Sequence, residues 1–253
     1  MMEAVVEKRA PRRSSTPMVR IEGQPAFVLH SYPYKETSLI IEAFSRDHGR
    51  IALVAKGAKK PHSALRSVLQ TLQPLSISWT GRSEIRTLIA AEWVGGLPPV
   101  EKSALLCGFY MNELLMKLLA RDDAHPELFD HYVATLNQLA HQQPAPIVLR
   151  QFERALLKQI GVAGDLSCCL ITREPVVADT YYIIEPERGV RPAQTYEQGL
   201  KILGKTLQDM ERNDYTDLQT QSQSKNLMRF LLAYQLQGAV LNTRQILMDL
   251  MQL

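Results

Sequence analysis

The 253-residue chain reads as an α+β protein: a small antiparallel β-barrel, then a mostly α-helical domain with an irregular insertion. Three observations carry that reading. Five short apolar runs, separated by turn signals, lie within residues 25–94. Beyond "GGLPPV" at 95–100 the apolar residues recur at helical spacing. Residues 161–193 then interrupt that spacing with Gly161, Gly164, Pro175 and a strand-like "TYYII" at 180–184.

In chain order, residues 1–18 are rich in charge, Pro and Ser without an apolar period, which predicts a disordered tail. "PAFVLHSY" (25–32) alternates through Phe27 and Leu29, and "TSLIIEAFS" (37–45) and "RIALVAK" (50–56) are denser. "PLSISWT" (74–80) and "IRTLIAAEWV" (85–94) complete the set, with "PYKE", "RDHG" and "GRSE" as turns between runs. Five such strands suit a closed or partly open barrel over 19–98. Residues 101–123 place Leu105, Leu106, Phe109, Leu114, Leu115 and Leu118 near a 3.6 period, which predicts a long helix. Two more are expected over 125–142 and 146–161. Helical signals resume near Gln198 and run through "SKNLMRFLLAYQLQG" to a short last helix near Thr243, so the helical domain covers 99–253.

Apolar residues make up 45% of the chain, enough for a sizeable core. No apolar run nears the ~18 residues of a membrane span. The N-terminus lacks the apolar centre of a signal peptide, so a cytoplasmic location is expected. Cys107, Cys168 and Cys169 are odd in number and two are adjacent, which argues against a disulfide framework. Charge is unevenly placed: residues 1–100 hold 14 Lys/Arg against 8 Asp/Glu, and residues 101–253 hold 15 against 18.

The stretch "VAKGAKKPHSALRSVLQ" (54–70) concentrates the positive charge. Lys56, Lys59, Lys60 and Arg66 have no acid among them, and Gly57, Pro61 and Ser63 predict a flexible loop. Clustered cations neutralise phosphates and release counterions, which gives salt-sensitive binding without sequence readout. Lys35 and Arg50 join these as candidate DNA contacts. Single strands also need aromatic platforms, and Tyr32 and Tyr34, flanking Pro33 in a loop, are candidates, with Trp79 a third. A second constellation lies on the helix at 146–160. Leu149, Phe152, Leu156 and Ile160 form an apolar stripe, and Arg150, Arg154 and Lys158 run beside it. An apolar groove edged by cations can receive an acidic, hydrophobic peptide; a solvated charged face, with Glu153 paired to Arg150, is the alternative.

Other motifs carry less. Gly199 to Thr206, "GLKILGKT", fits the G-x-x-x-x-G-K-[ST] phosphate loop, but "LKIL" reads as an amphipathic helical run and no strand precedes it. Two adjacent thiols do not make a tetrahedral zinc site. No nucleophile–base signature is present.

The ordered chain Glu36-Thr37-Ser38, Gly49-Arg50, Lys56-Gly57-Ala58-Lys59-Lys60 and Leu72-Gln73-Pro74 resembles the RecO family of bacterial recombination mediators. "YMNELLMKLL" (110–119), "LRQFERALLKQIG" (149–161) and "LNTRQIL" (241–247) are similar to that family too. The resemblance implies an oligonucleotide-binding (OB) fold barrel and a helical domain, without enzymatic turnover. It implies binding of single- and double-stranded DNA, annealing, and help in loading RecA onto strands coated by the single-stranded DNA-binding protein SSB. RecR is the implied partner, and the acidic SSB tail is implied to dock on the helical domain, here at Arg150 and Arg154 with Leu149 and Phe152. Many members hold zinc through two cysteine pairs in the region matching 165–193. Only Cys168 and Cys169 stand here, so 161–193 is expected to be a degenerate zinc-finger-like insertion with no metal and no other cofactor. Two alternatives remain: an OB-fold RNA-binding module with a helical dimerisation arm, and an NTP-using enzyme built on 199–206.

Overall fold

The first strand, β1 (Arg20–Tyr34), is long enough to serve two partners. Its first half pairs with β4 (Leu75–Thr80), and its second half with β2 (Ser38–Ser45). The change of partner falls at Ala26, which pairs with both Leu75 of β4 and Ser45 of β2, and a bulge between Val28 and His30 bends the half that follows. β3 (Gly49–Ala55) runs antiparallel to β2 and parallel to β5 (Ile85–Trp93), which closes the barrel in the order β1-β2-β3-β5-β4. This is the expected OB barrel. The computed structural model describes residues 19–246 apart from Lys102, Ala163 and Arg244, so the expected tail at 1–18 lies outside the described residues.

Strand alternation sorts the side chains. Ile41, Ala43, Ile51, Leu53, Ile77 and Trp79 fill the barrel interior. Phe27, Leu29 and Phe44 belong instead to the core of the helical domain. That core is built by α2 (Ser103–Leu118), α3 (Pro126–Ala140), α4 (Ala145–Gln159), α5 (Gly204–Glu211) and α6 (Leu218–Leu236). α1 (Ala64–Val68) is a single turn between β3 and β4. No helix among the described residues is long and apolar enough to cross a membrane.

Four expectations change. β1 starts at Arg20, not 25, because Arg20 and Ile21 pair with Thr80 and Trp79 although their own stretch is polar. α2 ends at Leu118, not 123: Arg121 leaves the helix to bridge Arg50 of the barrel. The helical pattern expected from Gln198 is a strand, β8 (Ile202–Leu203), and two helices separated by a turn near Asn213. The insertion supplies two strands of a three-stranded sheet in which β6 (Tyr181–Glu185) lies between β7 (Gly189–Pro192) and β8.

The barrel and the helical domain are fastened at the β2–β3 turn. Gly49 has φ +64°, and a Cβ there would lie 1.8 Å from the Asp123 carbonyl oxygen. Only glycine permits both the backbone and the approach. Beside it, the Asp122 amide donates to the Arg50 carbonyl at 2.9 Å.

Candidate nucleic-acid interface and a cation-rimmed groove

One end of the barrel gathers the β1–β2 turn and the segment after β3. The Lys59 amide donates to the Thr37 carbonyl at 2.9 Å, and its ammonium donates to the Lys35 carbonyl at 3.3 Å. Turns close at Lys60 on Gly57, Ser63 on Lys60 and Arg66 on Ser63, each at 3.1 Å. Ala58 is fully buried and pins the segment to the barrel. The expected flexible loop is therefore a tied series of turns leading into α1. Lys35, Lys56, Lys59, Lys60 and Arg66 are all exposed. No ion pair among the described residues engages any of them, so their charge is available to an outside anion.

Tyr32 and Tyr34 lie on β1 rather than in a loop, opposite Ile40 and Ser38. Tyr32 is 43% exposed and meets the His30 ring edge-on at 4.5 Å. The Lys35 ammonium sits 5.2 Å from the centre of the Tyr34 ring. Trp79 is barrel core, packed against His48. Arg50 does not join the basic end. It stands at the opposite end of β3 from Lys56, with its guanidinium on the Leu119 carbonyl and the buried Glu42 carboxylate. A cation after a glycine turn looks the same in sequence whichever anion it meets.

α4 separates the second constellation into two faces. Leu149 and Arg150 line a groove of about 470 Å³ between α2, α4 and α6, walled by Gly238 to Leu241. Lys225 and Arg229 of α6 stand at its edge, and Leu232 and Leu236 line it. Phe152 is 1% exposed and sits in the core. Arg154 is buried, pairs with Glu211 and donates to the Gly164 carbonyl, holding the start of the insertion. Phe152 and Arg154 thus lie apart from Arg150, because α4 is enclosed over more of its circumference than a surface helix. Lys225 and Arg229 escaped sequence reasoning; their i, i+4 spacing within "SKNLMRF" was the available signal.

The phosphate-loop match does not hold as a site. The strand–helix junction is present, but its amides are used: Gly204 donates to the Thr180 carbonyl at 2.7 Å and Lys205 to the Ala178 carbonyl at 2.8 Å. The Lys205 ammonium is spent on Asp209 and Asp217. The Thr206 hydroxyl donates to Gln223. A Cβ on Gly204 would lie 1.9 Å from the Val177 carbonyl, so chain, not phosphate, occupies that space.

Zinc does not fit the insertion either. Cys169 is buried, and the Cys168 thiol donates to Asp165 at 3.5 Å. No cluster of three His, Cys, Asp or Glu side chains able to hold a metal occurs among the described residues. Leu166, Cys169, Val176, Tyr182, Ile184 and Val190 pack into the helical-domain core instead, so apolar burial ties the insertion down.

Comparison with known proteins agrees with this architecture. Residues 18–97 match the family described as "Recombination protein O N terminal", and residues 102–240 match "Recombination protein O C terminal". The chain is 59% identical over 236 residues to "DNA repair protein RecO" of Ralstonia nicotianae, covering 92% of this chain and 86% of that protein. It is 59% identical over 248 residues to the protein of the same name from Paraburkholderia xenovorans, covering 97% and 82%. For the Burkholderia pseudomallei protein of that name the figures are 58% over 249 residues, 97% and 90%. With both halves matched in order and these relatives aligned over nearly all of its length, the chain belongs to the RecO family of DNA repair proteins.

Proposed function

We propose that this protein is a non-enzymatic recombination mediator. It binds single- and double-stranded DNA without reading sequence, anneals complementary strands and helps RecA onto SSB-coated DNA, with RecR as a further partner. The observation that carries this reading is the exposed basic end of the barrel, with no ion pair among the described residues, where Lys35, Lys56, Lys59 and Lys60 project from two tied turns and Arg66 from α1. Annealing breaks no covalent bond. Cations that cancel phosphate charge let two polyanions approach, and phosphate contact without base readout suits DNA of any sequence. Tyr32 and Tyr34, beside this end, offer ring faces to unstacked bases.

The joint variant Lys56→Ala/Lys59→Ala/Lys60→Ala tests the DNA site. Three lost phosphate contacts lower the slope of log K against log salt by roughly 2–3 units, at ~0.7–0.9 per contact. An unchanged slope would mean that this end faces away from DNA.

The groove between α4 and α6 is the proposed seat of the acidic SSB tail. Its apolar floor takes the hydrophobic end, and Arg150, Lys225 and Arg229 face the carboxylates. A guanidinium offers carboxylate a bidentate fork, and a charge-assisted contact of this kind contributes about 1.5–3 kcal/mol. Arg150→Ala should therefore weaken tail-peptide binding by about tenfold to a hundredfold and leave affinity for naked DNA intact. Parallel loss of both, in a variant whose circular dichroism is native, would refute the division into two sites.

A further inference from the structure

The groove has a buried acid behind it. Glu153, on α4, is 0% exposed. Its Oε1 accepts from the Tyr110 hydroxyl at 2.7 Å and from the Arg150 guanidinium at 2.5 Å. Its Oε2 is buried with no hydrogen-bond partner. A carboxylate with one bare oxygen, cut off from water, is costly to keep charged. Arg150 is the ion-pair partner that keeps it so, yet Arg150 also lines the groove and is the cation a docking acid would seek.

We propose that an acidic peptide entering the groove takes Arg150 as its own counter-charge, and that Glu153 answers by binding a proton from solvent on its bare Oε2. This rests on the groove being the peptide site. The balance is simple: the ligand brings one negative charge to Arg150, a hydronium ion or buffer acid gives up one proton, and that proton forms one O–H bond at Glu153. Docking and protonation are then linked, so the groove prefers carboxylate ligands more strongly as pH falls.

The surroundings support this. Burial pushes the Glu153 carboxyl up to about 6, against the opposing pull of Arg150, Tyr110 and Arg229. The groups around it are Tyr110 on α2, Arg150 and Arg154 on α4, Arg229 on α6, and Tyr215 ahead of α6. Arg154 is spent on Glu211, and burial pushes the Tyr215 hydroxyl up to about 12, so neither supplies the proton change near neutrality. A ligand carboxylate on Arg150 weakens the pull that holds Glu153 charged and raises its affinity for a proton further. Well below pH 6 Glu153 is protonated before docking and no proton moves. Well above the raised value it stays charged and docking is weakest.

The test is calorimetric titration of the full-length protein with the peptide Asp-Asp-Asp-Leu-Phe carrying a free C-terminal carboxylate, in two buffers of different ionisation enthalpy. For a rise of about one pKa unit, uptake is about half a proton per peptide near pH ~6.5, and affinity grows about eightfold from pH ~8 to pH ~5. Glu153→Gln keeps the shape but cannot titrate; it should bind with no proton uptake and a flat profile over that range. Peptide binding without uptake in the unaltered protein overturns the proposal and leaves the groove reading standing. Equal uptake in Glu153→Gln also overturns it, by assigning the proton elsewhere. Absence of peptide binding at every pH overturns both. If the Gln variant does not fold, the two-buffer measurement on the unaltered protein decides alone.

Discussion

Tyr132→Ala should destabilise the folded chain by about 3–5 kcal/mol, the cost of emptying a large aromatic site in a closed core. Tyr132 is fully buried on α3 where the two domains meet. Its ring lies 5.1 Å from that of Phe27 and 6.0 Å from that of Phe44, both on barrel strands, and 6.3 Å from that of Phe152 on α4. Its hydroxyl donates to Asn112 Oδ1 at 2.6 Å, and Asn112 Nδ2 donates to the Leu29 carbonyl at the β1 bulge at 3.1 Å. Truncation therefore leaves a void and strands a buried amide. Tyr132→Phe separates the two effects, because it fills the space and costs only the unmade bond, about 1–3 kcal/mol. Denaturant midpoints at constant m-value measure both. A loss below about 1 kcal/mol for the alanine variant would show that the junction relaxes into the void.

Glu42→Ala should cost about 2–4 kcal/mol by leaving two guanidiniums without their shared carboxylate. Glu42 is 2% exposed and takes Arg50 on one oxygen and Arg121 on the other. Arg121 also reaches Glu84 on the β4–β5 turn, so one acid ties β2, β3 and the segment after α2 together. The figure sits under the ~3–5 kcal/mol of a fully enclosed pair, because Arg50 and Arg121 keep 16% and 30% of their side-chain surface. Glu42→Gln, which keeps the shape and one acceptor, should recover part of the loss. Thermal unfolding followed in the barrel and in the helices reports whether they still melt together. A single transition at an unchanged midpoint would show that the core alone holds the junction.

The barrel was legible in the sequence because its signals are local. Each strand is a short apolar run stopped by residues such as Gly49 or Gly81, and a two-residue period is visible without partners. The start of β1 was not, since "RIEGQP" becomes a strand only through β4, fifty to sixty residues away. The same limit governed the sites. That Lys56, Lys59 and Lys60 are exposed cations could be read from composition alone, because no acid among the described residues pairs with them. Arg50 and Arg154 could not, because Glu42 and Glu211 are brought to them by tertiary structure. Glu153 beside Arg150 lay within reach of the i, i+3 rule, and the pair is present. Its isolation from water depends on α2 and α6 and is invisible along the chain.

On the proposed DNA site, the one-ended placement of the cations would also govern how the molecule meets its target. With 14 Lys/Arg against 8 Asp/Glu in residues 1–100 and 15 against 18 thereafter, the two halves of the chain carry opposite net charge. On the proposed DNA site, a body charged unevenly in this way feels a torque as well as a pull in the field of a DNA strand, so the basic end would turn to lead before any atom touches. Fewer collisions are then wasted on the wrong orientation, and association outruns that of an evenly charged body of equal size. The acidic, helical half trails. That advantage acts only within a Debye length, about 8–10 Å at physiological ionic strength, so added salt should slow arrival before it loosens the complex already formed.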